Sequence, residues 1–183
     1  MNKINFARAI TFSILVTCFA IGITAGAQSG SKDKKLISDA SVAKADFIHT
    51  DGPMNNLFSS SYGYVILPNV GKGAIGIGGA AGNGIVYEKG RVVGKTKMKQ
   101  VSVGFQFGGQ AYREVIFFES KAALDKFKQN KFSLSAQVSA VAATAGASAN
   151  VTYKEGVLIF TQQKGGLMYE ASVAGQNFNY TAF

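Results

Sequence analysis

The chain is poor in the side chains that carry most protein chemistry. It has one cysteine, one histidine and no tryptophan. A single histidine excludes a multi-histidine metal centre, and His49 stands alone between two expected helices, which is no setting for catalysis. Cys18 lies in an apolar N-terminal stretch. If that stretch is removed, disulfides, thiolate metal ligands and a cysteine nucleophile go with it. No G-x-S-x-G elbow is present to present a serine. Acidic residues are also scarce, with 10 Asp and Glu against 19 Lys and Arg, and charged residues make up only 16% of the chain. With 47% hydrophobic residues, this composition excludes a disordered chain. No internal repeat is visible.

One glycine motif invites a nucleotide. Gly71-Lys72-Gly73-Ala74-Ile75-Gly76 matches G-x-G-x-x-G. A dinucleotide site needs a helix directly after the glycines, with its N-terminus facing pyrophosphate. Here Ile77-Gly78-Gly79 follows, and no helix starts there. Close backbone packing accounts better for these glycines.

What is present begins with a segment that reads as a secretory signal, residues 1–27. Lys3 and Arg8 give the positive start, Ala9 to Ala27 carries no charge, and Ala25-Gly26-Ala27 fits a small-x-small cleavage site. The alternatives are an uncleaved anchor, or lipidation at Cys18 with Thr17 a poor preceding residue. Residues 28–35 read as a polar, loose linker, and residues 36–183 as one domain.

Leu36, Ala40, Ala43 and Phe47 follow helical spacing. Asp51-Gly52-Pro53 reads as a second helix start, with Asp51 near the N-cap. From Tyr62 the chain turns to strands, with Asn83-Gly84 and Lys89-Gly90 as turn signals. Lys95 to Phe107 alternates. Lys95, Lys97, Lys99, Val101, Val103, Phe105 and Phe107 share one face, basic at one end and apolar at the other. The apolar end is expected in the core. Ser120 caps a helix over Lys121–Asn130. The segment Phe132–Tyr153 is ambiguous, and Gly156–Gln162, Gly166–Ala174 and Gln176–Phe183 read as final strands. The fold class is therefore mainly β (α+β). A single curved, barrel-like antiparallel sheet is expected, with short N-terminal helices and one helix inserted before the last strands.

Several motifs in this order carry a resemblance. They are Tyr62-Gly63-Tyr64-Val65, Leu67-Pro68-Asn69-Val70-Gly71-Lys72-Gly73, Gly76-Ile77-Gly78-Gly79, Val101-Ser102-Val103-Gly104-Phe105-Gln106 and Gly165-Gly166-Leu167-Met168. Together they resemble the SYLF-domain family, over roughly Leu36 to Tyr180. The resemblance implies lipid or phosphoinositide binding, actin binding in some fungal members, and neither enzymatic activity nor a cofactor. It also favours a strand of small side chains within Phe132–Tyr153.

The basic residues supply the candidate lipid-binding site: Lys72 in the glycine loop, Lys89 and Arg91 around Gly90, and Lys95, Lys97 and Lys99 on one strand face. Only Glu88 is acidic nearby. The expected partner is an anionic phospholipid surface at the cell envelope or in the periplasm. Export argues against nucleic acid and against actin. Competing readings are a small outer-membrane β-barrel and a structural or protein-binding module of the envelope.

Overall fold

The computed structural model describes residues 22–75, 77–102, 110–130, 132, 134, 139–164 and 173–183. Residues 1–37 and 38–183 form two compact units. A helix, α1 (Gly22–Thr50), begins in the first and ends in the second. Residues 28–35, expected as a loose linker, are helical within it. Their lysines and serines lack Pro, and the one Gly among them does not break the helix. The expected signal segment falls largely outside the described residues, as do the Val103–Gly109 part of the alternating run and most of Gly166–Ala174. No described helix is long and apolar enough to cross a membrane, which says nothing of strands.

In the second unit, α1 is followed by α2 (Met54–Ser60), β1 (Gly63–Ile75), β2 (Ile77–Glu88), β3 (Arg91–Ser102), β4 (Gln110–Phe118), α3 (Lys121–Lys128), β5 (Val141–Ala142), a 3-10 turn (Ala147–Asn150), β6 (Val157–Gln163) and β7 (Gln176–Ala182). The seven strands form one sheet in the order β5-β6-β4-β1-β2-β3-β7. All neighbours are antiparallel except β5 and β6. Among the described residues the sheet is thus mixed and open, not closed into a barrel.

The local reasons are legible in the residues. Lys89 and Gly90 both have positive φ, 48° and 75°, and Glu88 pairs with Arg91 across them. Two such residues make the mirror-image turn that matches strand twist. Pro68 sits in the central strand β1, where it cannot donate to the ladder. The register slips there against both neighbours, between Ile66 and Asn69 and between Leu67 and Val70, so the proline occupies a bulge. Asn83-Gly84, expected as a turn, lies inside β2. A Cβ on Gly84 would meet the Ile66 carbonyl oxygen at 2.8 Å, so close strand approach is what requires this glycine. Lys72, expected in a glycine loop, likewise sits in a strand and pairs with Ala80.

Each face of the sheet has its own core. On the outer face, Phe47 of α1 and Met54 and Phe58 of α2 are buried with Tyr64, Ile66, Ile85 and Phe117. Phe58 meets the rings of Tyr64 and Phe117 edge-on at 5.1 and 4.9 Å, and Tyr64 stacks on Tyr87 at 4.7 Å. Arg113 of β4 pairs with Asp46 of α1 at 2.7 Å, and Gln162 of β6 donates to the Thr50 hydroxyl at 2.6 Å. Asp51 does not cap α2. Pro53 holds that place, and the buried Asp51 carboxylate accepts the backbone N–H of Ser148 at 2.7 Å.

The inner face is concave. Phe127 of α3 packs on Phe118 and Phe178 at 5.2 and 5.3 Å, with Phe132 beside them. Ser120 caps α3, its side chain accepting the N–H of Ala123 at 3.3 Å. The chain after α3 returns along β7. The Asn130 side chain accepts the N–H of Tyr180, and Leu134 and Gln176 are joined through N–H and carbonyl. This covers part of an edge that would otherwise invite pairing.

Candidate functional site

Strand β3 sets the geometry. Its alternation places Thr96, Met98 and Gln100 inward, all buried, and Lys95, Lys97, Lys99 and Val101 outward. The outward residues lie beyond the part of the face that α1 and α2 bury. Val101 was expected in the core and is instead 74% exposed. Alternation tells which residues share a face, not which way that face points.

Neighbouring strands complete the surface. Lys97 pairs with Asn83 on one side and Asn179 on the other, and Asn83 pairs with Asn69. Lys99 lies between Ala81 and Asn177, and Lys95 between Ile85 and Thr181. Directly paired residues project to the same side, about 4.8 Å apart from strand to strand. The result is an exposed field of lysine, carboxamide and hydroxyl groups with no carboxylate among its described strand residues. Lys164 reaches its margin, where it donates to Asn69. Lys95 is half-buried, with its ammonium 5.7 Å from the Phe183 ring.

The other expected site residues lie elsewhere. Lys72 pairs with Ala80, which pairs with Gln100, so it belongs to the inner face and is half-buried. Lys89 and Arg91 are at the β2–β3 turn. There they line an open groove of about 480 Å³ with Tyr62, Glu88 and Val93. Glu88 in that groove is occupied. Lys128 donates to it at 2.5 Å and the Tyr62 hydroxyl at 2.9 Å, and these two hydrogen bonds hold its carboxyl below the usual range. Lys89 lies over the Tyr62 ring at 5.3 Å. The six basic residues therefore fall in three places, and only Lys95, Lys97 and Lys99 form one ladder.

Sequence reasoning missed the carboxamides Asn83, Asn177 and Asn179. The final strand did carry a signal: Asn177, Asn179 and Thr181 alternate with Gln176, Phe178 and Tyr180. His49 is exposed at the end of α1, and no group of three or more His, Cys, Asp or Glu able to hold a metal occurs among the described residues.

Comparison with known proteins agrees with the motifs. Residues 99–180 match the Ysc84 family model, described as "Las17-binding protein actin regulator". The chain is 30% identical over 125 residues to "Beta cell expansion factor A" of Aeromonas veronii, covering 67% of this chain and 47% of that protein. The chain thus spans about half the length of the curated relative it matches. The Ysc84 match and this relative join the motifs from Tyr62 onward, and the chain belongs to the SYLF family, a family of binding modules associated with lipid and actin.

Proposed function

We propose that this chain is an exported, non-catalytic lipid-binding module that docks on anionic headgroups through Lys95, Lys97 and Lys99. The observation that carries this reading is the outer face of β2, β3 and β7, which has no Asp or Glu among its described strand residues and three lysines in line. Lysines two apart on a strand are about 6–7 Å apart, a spacing suited to neighbouring headgroups. Each basic residue near an anionic surface contributes on the order of 1 kcal/mol. Attachment is then electrostatic and weakens with salt over a Debye length of about 8 Å at physiological strength. Asn83, Asn177 and Asn179 supply hydrogen bonds to phosphate or glycerol oxygens beside the charges. Export is part of the proposal, and an exported chain does not meet actin.

The test is flotation of the purified protein with vesicles containing or lacking an anionic phospholipid. The parent should float with anionic vesicles at low salt, and much less at high salt. Lys95, Lys97 and Lys99 changed together to Glu should stay at the bottom of the gradient with little change in melting temperature, since Lys97 and Lys99 are exposed and Lys95 only half-buried. Equal flotation of parent and triple variant would remove the face from consideration. Absence of flotation in both would leave a protein partner as the better reading.

A further inference from the structure

The concave face holds an anomaly that headgroup docking does not use. Glu114 of β4 is fully buried, as is Gln176 of β7. The Gln176 amide nitrogen donates to Glu114 Oε2 at 2.9 Å. Glu114 Oε1 and Gln176 Oε1 are both buried without a donor. Buried polar atoms are rarely left so, because each has given up its hydration with nothing in exchange. If Glu114 were a carboxylate, both orphans would be acceptors facing a missing donor. One proton on Glu114 answers for both, because a carboxylic acid and a primary amide each have one donor and one acceptor to exchange.

We propose that Glu114 is carried as the neutral acid and donates its proton to Gln176 Oε1, so that a ring of two hydrogen bonds clasps β4 to β7 across the concave face and loss of the proton to solvent loosens the clasp. The surroundings favour the neutral form. Burial is the chief cause that pushes the Glu114 carboxyl up to about 7, against a smaller opposing effect of the Gln176 hydrogen bond. No described cation pairs with it. Facing the pair, β4 contributes Tyr112, whose hydroxyl oxygen accepts from the Gln176 amide, β6 contributes Thr161 and β3 contributes Gln100. The helix α3 brings Leu124 and Phe127 to this face. Along this face β1 carries Lys72, beyond Val70, and the opposite end holds the Glu88–Lys128 pair.

The sign follows from linkage. The carboxyl binds its proton more tightly folded, at about 7, than its ordinary value of 4.5. Its contribution to stability is complete below the lower value, declines between the two, and is gone above the upper. The experiment compares the parent chain with Glu114→Gln, which keeps an amide-to-amide ring but cannot ionise. The parent's melting temperature should fall relative to the variant's as pH rises from about 4.5 to about 7, with a constant gap beyond. A gap that does not change with pH overturns the proposal. Infrared spectra of the parent alone provide a second reading that needs no variant. A protonated-carboxyl band should persist at pH 6 and vanish by about pH 9, well past the upper value. Its absence at pH 6 overturns the proposal. So does a melting temperature that rises with added calcium or magnesium and falls with chelator, since the orphan oxygens would then belong to a cation.

Discussion

Gln176 and Glu114 stand in strands separated by three others, yet their side chains meet at 2.9 Å. On a flat sheet four strand-to-strand steps would place them roughly 19 Å apart. The sheet therefore curls far enough for its fourth-removed strands to touch, while its edges remain unjoined. This curl makes the inner face a closed aromatic core and leaves the outer face of β3 and β7 in water.

The curl depends on glycines where strands crowd. A Cβ on Gly94 would lie 2.5 Å from the Thr181 carbonyl oxygen and from the Tyr180 ring. Gly94→Ala should cost about 1–3 kcal/mol in urea unfolding, as overpacking does. Gly71→Ala is the control. Nothing lies within 4 Å of the added methyl, so stability should hold or improve slightly.

Asp51 ties the start of α2 to the 3-10 turn, bonding Ser148 across 97 positions. Asp51→Ala leaves that buried N–H without an acceptor and should cost about 1–3 kcal/mol. Asp51→Asn keeps an acceptor oxygen and should cost less. Thermal unfolding of the two variants distinguishes lost hydrogen bonding from general disturbance.

The N-cap of α3 is a smaller local matter. Ser120→Ala should lower stability by about 1 kcal/mol, and Ser120→Asp should restore most of it. Chemical denaturation resolves a difference of that size.

On the proposed reading, the three locations of the basic residues should give separable effects on vesicle binding. Lys97→Glu reverses a charge at the centre of the ladder and should weaken binding roughly 10- to 30-fold at low salt. Lys72→Glu, on the opposite face, should change it much less. An equal effect at both positions would mean that overall charge, not this face, governs attachment.

Much of the architecture could be read from the residues, for reasons that differ by element. Lys89-Gly90 announced its turn because the tight hairpin needs two residues with positive φ, and few sequences supply them. Ser120 announced its helix because capping is local. Asn83-Gly84 misled because glycine serves both turns and close strand approach, and composition does not separate the two. The lysine ladder was correctly grouped, since alternation is local. Its direction was not legible, because burial of Thr96, Met98 and Gln100 depends on β7 and on α3. Lys72 was misplaced by the glycines around it, which pair across β1 and β2 and form no loop. Gln176 and Glu114 carry no local signal for their meeting, as it follows from the curl of the whole sheet.

Pairing of β3 with β7 also has a temporal side. The bond from the Thr96 hydroxyl to the Asn179 carbonyl spans 83 positions. Contacts so distant must close a long loop, which makes them slow to form. Until β7 arrives, β3 is an open strand edge in a chain rich in Val, Ile and Phe, the kind of edge on which copies of a protein stack. Lys95, Lys97 and Lys99 keep that waiting edge charged, and like charges on two such edges repel. The three side chains proposed to meet headgroups in the finished protein thereby discourage copies of the unfinished one from joining.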